Sequence, residues 1–185
     1  MLVRNTSLEL DEAELWKVQA KAIANLEGSF AKAAPRALIK MATGSGKTFT
    51  ADNIAHRLLK FGGAKRILFL VDRGNLGKQT EDEFANFTAF DDNRKFHMIY
   101  TVQRLKNDSI NPAATVVVTT IQRLYSMLKG EAEFHGGNEE GSSFDTAKPL
   151  KGEQPDVVYN AGIAPEFFDF VIVDKCHRSI YELWT

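Results

Sequence analysis

Six residues in this chain have the types and spacing to hold phosphate: Thr43-Gly44-Ser45-Gly46-Lys47-Thr48. Glycines let successive backbone N–H groups curl around an anion without a Cβ in the way. A helix starting just after them would turn its positive end toward that anion. Lys47 would then reach β- and γ-phosphates, and the Thr48 hydroxyl would ligate Mg²⁺. The strict phosphate-loop pattern asks for Gly where Met41 stands, so the match fails by one residue. The plain alternative is an ordinary Gly-rich turn. A second constellation is Phe170-Val171-Ile172-Val173-Asp174, an apolar run ending in a carboxylate. Such an acid at the C-terminal edge of a parallel sheet suits Mg²⁺, although by itself it also reads as a solvated strand end.

These residues need elements to position them. A Thr6/Glu9 capping box, with Asp11 and Glu14 as a second start, leads into Leu15, Val18, Ala22, Ile23 and Leu26 at helical spacing. Gly28 and Pro35 then mark the exit. Residues 37–41 read as a short strand entering the phosphate loop. The helix after the loop carries Ile54, Ala55, Leu58 and Leu59 on one face and stops at Gly62-Gly63. Residues 67–71 form a continuous apolar run, as expected of a strand buried on both faces. A helix over 76–90, a strand over 97–102, a β-branched strand over 115–119 and a helix over 121–129 follow. Residues 130 to about 164 contain Gly136-Gly137, Gly141-Ser142-Ser143, Pro149 and Pro155, and read as a long loop or insertion. Strands alternating with helices predict an α/β fold with a mainly parallel sheet.

Composition sets the outer bounds. The 185 residues suggest one domain on a prior of ~150 residues each. At 44% hydrophobic and 25% charged, the composition is that of a globular protein. With 23 Lys+Arg against 24 Asp+Glu, the net charge of −1 does not indicate a strongly basic nucleic-acid module, though a local basic stripe stays open. One cysteine, Cys176, excludes an internal disulfide framework. The N-terminal residues lack a signal-peptide core, and no run approaches the ~20 apolar residues of a membrane helix, so a cytoplasmic location is expected.

Four stretches in order sharpen the reading: residues 36–50 around the phosphate loop, Leu68-Phe69-Leu70-Val71-Asp72-Arg73, Thr119-Thr120-Ile121-Gln122-Arg123-Leu124-Tyr125, and residues 168–181 around Asp174. The loop form Ala-x-x-Gly-x-Gly-Lys-Thr is typical of superfamily 2 helicases and translocases. Together the four resemble the motor domain of the restriction (R) subunit of type I restriction–modification enzymes, over nearly the whole chain. The resemblance implies a RecA-like P-loop fold, ATP and Mg²⁺, and ATP hydrolysis coupled to translocation of double-stranded DNA, which is then cleaved. It also implies methyltransferase and specificity subunits as partners, the latter carrying DNA sequence choice. Residues 1–185 would be the first RecA-like ATP-binding domain, truncated, with 130–165 an insertion within it. By the same resemblance Thr43, Gly44, Ser45, Gly46, Lys47 and Thr48 hold the nucleotide, and Thr48 and Asp174 hold the metal. Arg73, Gln79, Thr119, Thr120 and Gln122 lie near a DNA backbone, although Thr119 and Thr120 equally read as a strand end and helix cap. Gln19 matches the adenine-recognising Gln of Leu-Arg-x-Tyr-Gln-x-x-Ala-Ile, while Trp16 and Val18 replace the Arg and Tyr.

The acidic box departs from the family. Asp174-Lys175-Cys176-His177 stands where Asp-Glu-x-His is usual, so Lys175 occupies the position of the catalytic Glu, and His177 matches the coupling His. A lysine does not activate water as a carboxylate does, so ATP binding with impaired hydrolysis is expected. The resemblance further implies a second RecA-like domain with an arginine finger and a nuclease domain, neither evident in this sequence. The strand after the acidic box normally lies between the phosphate-loop strand and the Asp174 strand, so a gap in the sheet is expected there. Two other readings stay open: another P-loop enzyme such as a small nucleotide kinase, and a degenerate nucleotide-binding remnant acting through a partner.

Overall fold

A computed structural model of the chain describes residues 15–89, 91, 93–107, 109–130 and 163–174. Its elements are α1 (Lys17–Ala31), α2 (Lys47–Lys60), β1 (Ile67–Val71), α3 (Gly74–Asn86), α4 (Phe96–Ile99), β2 (Val102–Arg104), β3 (Val116–Thr120), α5 (Ile121–Lys129), a 3₁₀ turn (Pro165–Phe167) and β4 (Phe170–Val173). The four strands form one sheet in the order β2-β3-β1-β4, and every pairing is parallel. The chain is therefore α/β, the architecture of a RecA-like P-loop lobe.

The apolar runs explain the layering. β1 and β3 are buried on both faces. Side chains alternate across a strand, so Ile67, Phe69, Val71, Val116 and Val118 enter one core with residues of α1, α2 and α3. Leu68, Leu70 and Val117 enter a second core with Met127 of α5. Each such side chain contributes roughly 1.5–3 kcal/mol by leaving water. Thr120 caps α5, its hydroxyl accepting from the Arg123 N–H at 3.2 Å, and Gly130 ends that helix at φ 70°. On α2, Arg57 donates to both carboxylate oxygens of Glu27, which ties α2 to α1.

Three expectations need correction. Residues 37–41 form no strand, and Leu38 is 72% exposed. A parallel strand needs a neighbour for its ladder, and β4 is the edge of the sheet among the described residues. The strand expected over 97–102 is instead the helical turn α4 followed by β2. Helical spacing puts Phe96 and Tyr100 on one side, their rings 4.9 Å apart, with Phe96 also against Phe84. Gly28 does not stop α1, which continues to Ala31 and ends where Ala33 turns to φ 57°. The Thr6/Glu9 cap and nearly all of the 130–165 insertion lie outside the described residues, as do Lys175 and His177.

Candidate nucleotide site

The phosphate loop folds as its glycines require. Gly44 and Gly46 sit at φ 77° and 74°. A Cβ at Gly44 would meet open space, so conformation alone asks for glycine there. Gly46 has a second reason, because a Cβ would lie 2.4 Å from Nε2 of Gln19. α2 begins at Lys47, and its first internal bond runs from Thr50 N–H to the Gly46 carbonyl at 2.9 Å. The N–H groups of Lys47 and Thr48 precede that bond and face the loop end of the helix.

Donors converge on the loop. The Ala42 carbonyl accepts from Ser45 Oγ at 2.7 Å and from Lys47 Nζ at 2.9 Å. It also accepts from the Ser45 N–H at 3.3 Å. A lone carbonyl oxygen thus gathers an ammonium, a hydroxyl and an amide, the donor set that an anionic phosphate would satisfy more strongly. Thr43 and Gly44 are exposed, so the loop is open to solvent. Beside it Gln19 is buried, donating from Nε2 to the Ser45 carbonyl at 3.1 Å and accepting the Trp16 N–H at 2.9 Å.

Asp174 follows β4 directly, and its N–H donates to the Leu70 carbonyl at 2.9 Å. It therefore sits at the C-terminal end of the sheet, beside the end of β1. Its charge acts on Asp52 of α2, five residues beyond Lys47. The loop helix and the strand-end acid thus share one end of the fold. The oxygen donors there, Thr48 and Asp174, suit Mg²⁺, which takes one or two protein ligands alongside phosphate oxygens. Among the described residues no group of three or more His, Cys, Asp or Glu forms a self-sufficient metal site.

Asp52 escaped the sequence reading. It is 2% exposed, Oδ1 has no hydrogen-bond partner among the described residues, and burial, then Glu83, then Asp174 push its carboxyl up to about 8. Its signal was positional, since Asp52 lies three residues before Ala55 on the apolar stripe of α2. Farther off, Asp91 accepts from Lys60 and pairs with His56. Partial burial alone would raise its carboxyl, but Lys60 and His56 together hold it below the usual range.

The expected DNA-facing residues divide. Gln79 is exposed and donates to Glu83 at 2.9 Å. Arg73, partly exposed, lies 3.7 Å from Asp72. Thr119 and Thr120 are buried, and Thr120 caps α5. The amide atoms of Gln122 are buried with no hydrogen-bond partner among the described residues. The structure brings Gln19 and residues 43–48 together, with Asp174 at the same end, but does not turn Thr119, Thr120 or the Gln122 amide outward.

A parallel α/β lobe with a glycine-rich loop at a helix start and an acid at a strand end has the architecture of a P-loop domain. Residues 12–185 match the family described as type III restriction enzyme, res subunit, and the chain belongs to that family. It is 32% identical over 145 residues to the type I restriction enzyme EcoAI endonuclease subunit of Escherichia coli, covering 78% of this chain and 13% of the relative. It is 34% identical over 174 residues to the EcoKI endonuclease subunit of Escherichia coli strain K12, covering 92% of this chain and 12% of the relative. A third relative, the type I restriction enzyme SauMSSORF170P endonuclease subunit of Staphylococcus aureus strain MSSA476, is 36% identical over 137 residues, covering 74% and 12%. The chain thus spans about an eighth of the length of these relatives. Among the described residues no helix is long and apolar enough to cross a membrane.

Proposed function

We propose that this chain is the ATP-binding first motor domain of a type I restriction enzyme R subunit, with residues 130–165 an insertion within it. In the full enzyme the domain serves ATP-driven translocation of double-stranded DNA, in the cytoplasm, beside methyltransferase and specificity subunits. The observation that carries this reading is the convergence of Ser45 and Lys47 donors on one carbonyl at the mouth of α2. Thr43, Gly44, Ser45 and Gly46 offer backbone N–H groups to the triphosphate. Lys47 offsets its charge, and Thr48 with Asp174 would hold Mg²⁺, which supplies charge neutralisation when bound. Arg73 and Gln79 are the more accessible of the residues assigned to DNA-backbone contact.

Hydrolysis in this chain is impaired. Lys175 follows Asp174 where the family carries the carboxylate that orients and deprotonates water, and a cationic lysine performs neither task near neutral pH. Its charge suits a γ-phosphate instead, which favours binding over turnover. Loss of a catalytic base typically costs ~10²–10⁴-fold in rate. Lys175→Glu is therefore expected to raise the ATPase rate well above that of the unaltered protein, with DNA added and with ATP affinity measured in parallel. Equal rates overturn the impairment. Stimulation by DNA supports the motor, phosphorylation of an added acceptor supports a kinase, and tight binding without turnover in both proteins supports a remnant that binds nucleotide only.

A further inference from the structure

We infer that Asp169 sets the register of β4 on β1, and through it the height of Asp174 at the sheet end, an inference that rests on the nucleotide-site reading above. Burial alone does not fix this register. A one-residue slip exchanges the two faces of a strand, and it is resisted where one face is polar. Every residue of β4 is apolar, so a slip would trade the half-buried Phe170 and Ile172 for the exposed Val171 and Val173. Among the described residues β4 has one neighbour, β1, and a parallel pair is slightly the weaker kind per residue.

Asp169 breaks the uniformity, as the one polar residue between Glu166 and Asp174. Its Oδ2 accepts the Lys65 N–H at 2.7 Å and the Arg66 N–H at 3.0 Å, and its own N–H donates to the Arg66 carbonyl at 2.9 Å. These bonds hold Asp169 opposite Arg66, one step before the pair of Ile67 and Phe170. Arg66 is itself fastened to the sheet. Its guanidinium donates to the carbonyls of Ala114 at 3.1 Å and Pro112 at 2.8 Å, and lies 4.0 Å over the Phe167 ring. A slip in either direction sets Phe168 or Phe170 against the two N–H groups, and neither side chain offers an acceptor. The same register delivers Asp174 to the end of β1, where its N–H donates to the Leu70 carbonyl at 2.9 Å. A one-residue slip would move that acid by ~3.3 Å and turn its side chain to the other face. Mg²⁺ holds its oxygen ligands at about 2.0–2.1 Å in a near-ideal octahedron, so such a shift takes the carboxylate out of reach. Asp169 is thus a positioning residue acting from the far end of the strand.

Asp169→Val and Asp169→Asn test the assignment. Val removes the acceptor but is a good strand former, whereas Asn keeps an acceptor oxygen. The register is read from interstrand nuclear Overhauser contacts of Leu68 with Val171 and Leu70 with Val173, with the β1–β3 contacts showing that the fold is kept. The β4 contacts are expected to persist in Asn and to be lost or shifted in Val. The gain in ATP affinity on adding Mg²⁺ is expected to fall by ~10–100-fold in Val, as when a group supporting a metal ligand is removed. In Asn it stays within about 3-fold. Affinity without Mg²⁺ is unchanged in both, which a general loss of stability would not produce. A native register or an undiminished Mg²⁺ gain in folded Asp169→Val overturns the assignment, as does equal damage from Asn. Amide exchange at Lys65 and Arg66 in the unaltered protein needs no substitution. Slow exchange is expected at both, and rapid exchange overturns the assignment even where the Val variant does not fold. If the unaltered protein shows no ATP binding or no Mg²⁺ effect, the nucleotide-site reading falls, and the register contacts and amide exchange still decide the role of Asp169.

Discussion

Asp52 shows how one side chain links the candidate site to stability. Its carboxyl is buried between α2, Glu83 of α3 and the Asp174 end of the sheet, and is raised from 3.8 to about 8. A raised folded-state value means that the fold favours the neutral acid. The unfolded chain gives up the proton near 3.8, whereas the folded chain keeps it until about 8. The contribution is therefore complete below about pH 4, declines as pH rises, and is gone above about pH 8. Asp52→Asn, which mimics the neutral form, should remove much of this decline. Urea unfolding at pH 5 and pH 8 is expected to show the unaltered protein losing stability by a few kcal/mol between them, and the variant losing clearly less. Equal losses would mean that Asp52 is not the titrating group. The acid's place on the apolar stripe was readable in sequence, but its neighbours were not. Glu83 and Asp174 come from positions 31 and 122 residues away in the numbering, and only the fold adds their charges to its burial.

At the scale of elements, legibility followed the source of each element's stability. The apolar runs of β1 and β3 are buried central strands and that of β4 is the strand beside β1 at the sheet edge, and their composition alone identified all three. The span of α5 was legible because its apolar spacing is bounded by a capping threonine and a glycine. Thr120→Ala removes that cap and is expected to lower stability by ~1 kcal/mol, visible as an earlier urea midpoint with unchanged far-UV signal for the remaining elements. A midpoint unchanged from the parent would show that the Thr120 hydroxyl contributes nothing as a cap. The failures have a different origin. Residues 97–102 carry strand-forming types, yet Phe96 and Tyr100 pack against each other and against the α3 side of the core only if a helical turn intervenes. The segment 37–41 carries an apolar run, but a strand is a relation between two segments. In the candidate site, the loop conformation and its lysine were legible from spacing. The Gln19 bridge was not, because it depends on where α1 lies against the loop.

At the scale of the whole molecule, the described residues leave one side of the sheet uncovered. β4 pairs with β1 along one edge only among the described residues, and Val171 and Val173 are 55% and 38% exposed. By register Val171 stands beside Leu68 and Val173 beside Leu70, on the face that α5 covers over β1 and β3 but not over β4. Leu38, 72% exposed, adds a further apolar side chain on a segment that has no ladder. A parallel strand with a bare edge and a bare apolar face is a template for another chain, and globular proteins ordinarily cover or charge such an edge. The net charge of −1 provides little repulsion to keep copies apart. The expected consequence is association that grows with concentration, read as a rising mass in size-exclusion chromatography with light scattering. Val171→Lys and Val173→Lys place charge on the bare face without touching the phosphate loop, and should return the mass toward that of one chain. The ATP affinity of Val171→Lys should be unchanged, because Gln19 and residues 43–48 lie on α1, the loop and the start of α2, and Asp174 lies three residues farther on. Val173→Lys, next to Asp174, is read for mass only. A compact monomer at all concentrations in the unaltered protein would show that the edge is already closed. Association that persists in both lysine variants would place the contact elsewhere.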